Sequence, residues 1–116
     1  MTEVKMRIWG LKNCDTCRKA VKALGDAGRD LDYVDVRADG VAGDDLSRFF
    51  DAFGDALVNK RSTTWRGLSE DGRAADPVAL LAAHPTLMKR PVIEADGQLT
   101  LGWDAKTQAK WLENDV

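Results

Sequence analysis

The sequence predicts an α/β fold, and three observations carry that reading. The first 36 residues pass from a period-2 segment to a helical period and back to a strand-like run. That is a β-α-β unit, whose crossover is right-handed and whose strands are parallel. Near the end, two short apolar runs flank Asp96-Gly97, a strong hairpin signal, and a last helical segment follows. Between these parts lies a helical insert at about residues 42–88. The order is β-α-β, insert, β-β-α, with four strands in one mixed sheet. At 116 residues the expectation is one domain spanning 1–116.

The elements follow in order. Val4-Lys5-Met6-Arg7-Ile8-Trp9 alternates apolar and polar until Trp9, and Gly10 is expected to break the strand. From Asp15 the period changes: Cys17, Ala20, Val21, Leu24 and Gly28 fall on one helical face. Asn13 or Asp15 can cap that helix, and Gly25 or Gly28 can end it. Leu31 to Val36 reads as the second strand. After Ala38-Asp39-Gly40, a helix starts at Asp44 and Asp45, with Leu46, Phe49, Phe50 and Phe53 on one stripe and Gly54 as its stop. Leu57 to Arg61 and Thr63 to Arg66 read as irregular and basic. Asp76-Pro77 is a cap followed by a first-turn proline, opening a short helix with Val78, Leu80 and Leu81 that closes before Pro85. Pro91 to Ala95 and Gln98 to Leu101 are the hairpin strands. Asp104 caps the last helix, with Ala105, Ala109 and Leu112 expected inward.

Composition narrows the function. Hydrophobic residues at 44% and charged residues at 31% are ordinary globular values. A net charge of −2 argues against a general nucleic-acid surface. The start, Met1-Thr2-Glu3-Val4-Lys5, lacks a signal-peptide apolar region, so the expected location is cytoplasmic. No run approaches the ~18 apolar residues of a membrane span. Two cysteines do not make a disulfide framework. A structural zinc site wants four ligands, and the remaining donor, His84, is far along the chain, so no metal is expected.

The chemistry concentrates in Gly10-Leu11-Lys12-Asn13-Cys14-Asp15-Thr16-Cys17-Arg18-Lys19. It holds both cysteines, spaced C-x-x-C beside a β-α-β pattern, which reads as a thioredoxin-like redox motif. Cys14 falls at the strand-to-helix turn. There the backbone N–H groups lack intrahelical partners and the dipole favours an anion such as a thiolate. Asp15 works against that charge. Cys17 lies on the apolar face, where an inert buried thiol and a resolving thiol are both open readings. Within a helix, Cβ atoms at i, i+3 are about 5–6 Å apart, while a disulfide needs about 3.8 Å. Cys14 must therefore precede the helix if the two are to join. Arg61 and Arg90, in the basic pairs Lys60-Arg61 and Lys89-Arg90, are the candidate cations, since arginine grips an oxyanion or carboxylate through two parallel hydrogen bonds. Lys12 and Asn13, in the cysteine turn, and Pro91 complete the candidate anion- or substrate-binding set. His84 is assigned to a helix end, which leaves a Cys-His hydrolase little support. An X-Pro bond is trans by default, so spacing alone leaves Pro91 trans.

Asn13-Cys14-Asp15-Thr16-Cys17-Arg18-Lys19-Ala20, then Arg61-Ser62-Thr63-Thr64-Trp65, Lys89-Arg90-Pro91-Val92-Ile93 and Leu101-Gly102-Trp103 form a combination that resembles the arsenate reductase (ArsC)/Spx family. This is the glutaredoxin-like branch of the thioredoxin superfamily, and the chain resembles its small YffB-like reductases in particular. The resemblance covers about residues 4 to 115. It implies a thioredoxin-like fold with a helical insertion, Cys14 as nucleophile, Arg61 and Arg90 lining an anion site, and Pro91 as the cis proline that faces the cysteine. Arsenate reductases of this family carry a third arginine shortly after the R-P segment. Here Gln98-Leu99-Thr100-Leu101-Gly102-Trp103 has none, which counts against arsenate reduction. Cys17 supplies a resolving thiol, as in the Spx-type regulators, which bind the RNA polymerase α subunit and continue into a basic tail. This chain ends on Glu113-Asn114-Asp115-Val116. The resemblance thus implies a glutathione-linked thiol-disulfide oxidoreductase, with no bound cofactor and glutathione as co-substrate. Its expected partners are glutathione or another small anionic thiol or disulfide, with glutaredoxin or thioredoxin as protein partners. The alternatives are a redox sensor on the polymerase α subunit and an arsenate reductase.

Overall fold

β1 runs Lys5–Gly10 because its side chains alternate. Met6 and Ile8 are buried and Arg7 between them is exposed, the period-2 pattern of a half-buried strand. The computed structural model describes residues 5–95 and 97–112, so Val4, the expected start, lies outside the described residues. Gly10 does not break the strand; it pairs with Asp35 of the next strand. α1 follows at Asp15–Asp26 and buries Cys17, Ala20 and Leu24, with Val21 half-buried. Its N-cap is Cys14 itself, in an extended conformation at φ −91° and ψ 117°, and not Asn13 or Asp15. The helix stops at Ala27, whose N–H reaches the Ala23 carbonyl, while the Gly28 N–H reaches that of Gly25. Gly28 then takes φ +82°, a step that glycine makes without strain.

β2, Asp30–Asp35, lies parallel to β1 from Lys5↔Asp30 to Gly10↔Asp35. It ends one residue before the expected Val36. β3, Val92–Ala95, is antiparallel to β1, and β4, Gln98–Leu101, is antiparallel to β3. The sheet order is β2-β1-β3-β4, a mixed four-stranded sheet of thioredoxin-like type. Ala95 pairs with Gln98 across the hairpin, and Gly97 has φ +75°; Asp96, half of the turn signal, lies outside the described residues. α7, Ala105–Leu112, is capped as expected. Asp104 Oδ1 accepts the Thr107 N–H at 2.9 Å, and that bond holds the Asp104 carboxyl below its ordinary pKa.

The chain forms two compact units, Met1–Asp35 with Arg90–Val116, and Val36–Lys89. In the first, Met6, Ile8, Leu24, Ile93, Ala95 and Trp111 form the core, with Leu31, Tyr33 and Trp103 against it. α7 turns Thr107 and Trp111 inward, whereas the expected inward residue Ala105 is exposed. The larger apolar area of the indole decides the face. Trp111 Nε1 donates to Thr100 Oγ1 at 2.7 Å, and Arg29 donates to the Trp111 carbonyl at 2.8 Å.

The second unit holds α2 (Val36–Asp39), α3 (Gly43–Phe53), α4 (Thr63–Arg66), α5 (Glu70–Arg73) and α6 (Pro77–Ala83). Short 3₁₀ turns lie at Gly54–Leu57 and Pro85–Leu87. α3 buries Leu46 and Phe49, α6 buries Leu80 and Leu81, and these two helices pack together. Asp76 caps α6 as expected. The segment read as irregular contains α4, a single turn capped by Ser62 Oγ, which accepts the Trp65 N–H at 3.1 Å. Val58 bridges Met88, and the Lys89 N–H donates to the Leu57 carbonyl at 2.7 Å. This joins the two ends of the α4–α6 segment. Among the described residues no helix is long and apolar enough to cross a membrane.

Candidate active site

The site is built at the end of β1. Leu11 is buried and holds the turn down, while Lys12 and Asn13 are exposed. The Cys14 N–H closes back on the Leu11 carbonyl at 3.2 Å, and the Cys14 carbonyl accepts the first helical bond from Arg18 at 2.9 Å. The half-buried Cys14 sulfur thus stands at the positive end of a 12-residue helix. Cys17, one turn on, is fully buried. Both are free thiols.

Their acidities diverge. For Cys14, burial opposes the thiolate. The Cys17 thiol and backbone N–H, then the hydrogen bond and charge of Arg90, outweigh burial, and the pKa falls below the ordinary cysteine value. No side-chain cap bond of standard geometry forms at Cys14, so the Cys17 N–H acts on the sulfur as a loose donor. For Cys17, burial comes first and the neighbouring Cys14 adds to it. A Leu11 backbone donor and the Arg90 charge offset only part, and the pKa is pushed up to about 11. One thiol is poised to ionise while the other keeps its proton.

Arg90 arrives from the sheet. β3 is antiparallel to β1 with Trp9 opposite Val92, so the residues just before β3 lie beside the residues just after β1. The Arg90-Pro91 bond is cis, Pro91 is buried, and the Pro91 carbonyl accepts the Gly102 N–H at 2.8 Å. The structure brings Cys14, Cys17 and Arg90 together, with Pro91 next to Arg90 in the chain. Arg61 belongs to the second unit, where it is exposed and its N–H donates to Asn59 Oδ1 at 3.1 Å. His84 is the C-cap of α6, the helix end assigned to it.

Two residues that sequence reasoning missed complete the site. A Cβ on Gly10 would lie 2.7 Å from Cys17 Sγ and 2.9 Å from the Tyr33 hydroxyl. Gly10 is glycine because the sulfur and the phenol close on its Cα. Tyr33 comes from β2, where it pairs with Ile8. The signal was available in principle: parallel pairing across a β-α-β unit sets residues near 33 beside residues near 8, on one face.

Among the described residues no group of three or more His, Cys, Asp or Glu side chains is placed to hold a metal ion. The arrangement is that of thiol chemistry: an activated cysteine, a second cysteine within reach, and a guanidinium beside both. Fold and site together define a protein of the thiol-oxidoreductase class. The model of the ArsC family matches residues 9–111, and the chain belongs to that family. It is 42% identical over 104 residues to an uncharacterized protein of Haemophilus influenzae, covering 85% of this chain and 91% of that one. Among solved structures, the protein named YFFB superposes with a TM-score of 0.85 at 30% identity, covering 92% of this chain and 98% of its own. An arsenate reductase (ArsC) related protein from Brucella melitensis gives 0.73 at 35% identity, with 96% and 97% covered.

Proposed function

We propose that the protein is a cytoplasmic thiol-disulfide oxidoreductase that works with glutathione. The observation that carries this reading is the split between a half-buried Cys14 with lowered pKa beside Arg90 and a buried Cys17 with raised pKa. The Cys14 thiolate attacks one sulfur of a substrate disulfide. A Cys14–substrate disulfide forms and the other substrate sulfur leaves as a thiolate. Cys17 then gives its proton to a leaving thiolate and attacks Cys14. The Cys14–Cys17 disulfide forms and the second substrate thiol departs. Two electrons have passed from the cysteine pair to the substrate. Two glutathione thiols restore the pair and become glutathione disulfide; glutaredoxin or thioredoxin can serve as the reducing dithiol.

Arg90 steadies the Cys14 thiolate and holds an anionic group of the incoming substrate. Lys12 and Asn13 line the approach from the exposed turn, and Pro91 forms its wall. Anion binding by Arg61 is proposed from its sequence element alone. The test is turnover of a glutathione mixed disulfide by wild-type, Cys14→Ser and Cys17→Ser proteins, with arsenate plus glutathione and glutaredoxin run in parallel. Disulfide turnover lost in Cys14→Ser, with the glutathione adduct accumulating in Cys17→Ser, is expected. Turnover of arsenate alone would replace this reading with arsenate reduction.

A further inference from the structure

Tyr33 is a titratable group at this site that the reaction above leaves unused. Its hydroxyl and Cys17 Sγ both come within 3 Å of the point where a Gly10 Cβ would stand, at 2.9 and 2.7 Å. That convergence has three independent supports. β2 pairs with β1 so that Tyr33 stands opposite Ile8, two residues from Gly10 on the same face. Cys17 is fixed in the first turn of α1 with no exposed surface. Gly10 has no side chain to separate them. Burial, then the charges of Cys17, Asp35 and Cys14, and the hydrogen bond to Cys17 all push the phenol above its ordinary pKa. Tyr33 therefore keeps its proton and serves as a donor, never as a base. Facing Cys17 from the other elements are Cys14, the Leu11 backbone and Arg90.

We infer that Tyr33 is a positioning residue for the resolving step: its hydroxyl donates to Cys17 Sγ and steadies the charge on that sulfur whenever the Cys14–Cys17 bond forms or opens. The inference rests on the oxidoreductase reading above. In resolution, the Cys17 S–H gives its proton to the departing thiolate, and the S–S bond to Cys14 forms as the Cys14–substrate bond breaks. In re-reduction, an external glutathione thiolate attacks Cys14, and Cys17 leaves as a thiolate. In both directions negative charge gathers on a buried sulfur for which water is a poor partner. The Tyr33 O–H is the donor aimed at it, and it neither gains nor loses a proton over the cycle.

The experiment compares wild type with Tyr33→Phe, which keeps the ring packed against the core and removes only the hydroxyl. Reduced protein is mixed with glutathione disulfide, quenched with acid at intervals, and resolved by mass into free dithiol, glutathione adduct and intramolecular disulfide. Tyr33→Phe is expected to leave adduct formation at Cys14 unchanged and to slow adduct resolution about 10- to 100-fold, the range that a hydrogen bond to a charged group supports. A thermal melt of both reduced proteins accompanies it. Resolution at the wild-type rate in Tyr33→Phe overturns the inference and leaves the oxidoreductase reading standing. Equal slowing of both steps assigns Tyr33 to general architecture and also overturns it. Wild-type protein that never forms the intramolecular disulfide overturns both readings. If Tyr33→Phe melts far lower, Tyr33→Met in its place must show the same selective slowing for the inference to hold.

Discussion

Gly10→Ala is the sharpest perturbation the structure offers. Gly10 is a strand residue whose φ is not among the positive ones, so alanine meets no backbone strain there. Acting through the unfolded chain alone, the change would stabilise by about 0.4–1 kcal/mol. The added Cβ instead meets Cys17 Sγ at 2.7 Å, the Tyr33 hydroxyl at 2.9 Å and Cys17 Cβ at 3.1 Å. Cys17 is fully buried and sits on a helix, so the first turn of α1 must shift. Overpacking of this kind costs about 1–3 kcal/mol. Set against the entropic gain, the net loss is about 1–2 kcal/mol, a fall in Tm of about 4–8 °C for a chain of this size. Denaturant melts of reduced wild type, Gly10→Ala, Cys17→Ala and the double variant measure it. Removing the sulfur relieves the shortest contact, so the double variant should be more stable than the single losses add up to, by about 1 kcal/mol. A neutral or stabilising Gly10→Ala, or strict additivity, would refute the close approach.

Four further outcomes are expected. Arg90→Ala raises the Cys14 pKa, because a hydrogen bond and a positive charge on the thiolate side are lost; thiolate absorbance near 240 nm in a Cys17→Ser background reads it, and an unmoved titration would remove Arg90 from the site. With a lowered folded pKa, ionised Cys14 contributes stability above its unfolded value that is lost as pH falls through the folded one, so the rate with a disulfide probe should fall on the acid side at a pH below the ~8.5 of free cysteine. Cys17 has the opposite sign: its protonated form contributes stability fully present below ~8.5 and lost as pH climbs towards about 11, so a Cys17→Ala variant should lose less stability than wild type across that window. Asp76→Ala removes the carboxylate that accepts the Ala79 N–H at 3.1 Å and should lower stability by about 1 kcal/mol, with adduct formation at Cys14 unaltered; a kinetic change at Cys14 would contradict the local character of that cap.

What was legible in the sequence was whatever long periodicity or a strong turn signal encodes. The change from period 2 at Met6 and Ile8 to period 3.6 at Cys17, Ala20 and Leu24 located β1, α1 and the cysteine turn between them. Gly97 and the flanking apolar pairs located the hairpin. Four-residue helices are too short to show a period, so α4 and α5 were invisible to that test. Their signals are the serines at 62 and 69, each accepting an N–H three residues on, a local pattern that also occurs in plain turns. On α7 the inward reading holds for Leu112, which packs against the core, and fails for Ala105, which is exposed; the inward Trp111 was passed over because small residues at helical spacing weighed more than one indole. Gly10 was misread as a breaker because its reason for being glycine is tertiary: two atoms from elements 7 and 23 residues away in sequence meet at its Cα. Tyr33 was missed for the same cause.

The same helix end acts on both cysteines, yet it does not make them alike. A positive N-terminus favours a thiolate on either sulfur, so the dipole cannot be what separates them. Burial and the hydrogen bond between the two sulfurs separate them. Cys14, half-exposed at the cap, retains part of its hydration and gains Arg90. Cys17, in contact with Gly10 and closed over by the core, loses hydration and gains only the edge of the Arg90 field. Asp15, which in sequence stands next to Cys14 and opposes its charge, is 83% exposed and paired with Arg18 at 2.7 Å, so water screens most of its field. Had Asp15 turned inward, or had residue 10 carried a side chain that lifted Cys17 towards solvent, the two pKa values would converge. The pair would then be two ordinary thiols, with no ordering of nucleophile before resolver. The order of attack is therefore set by which sulfur the strand end at Gly10 allows to sink.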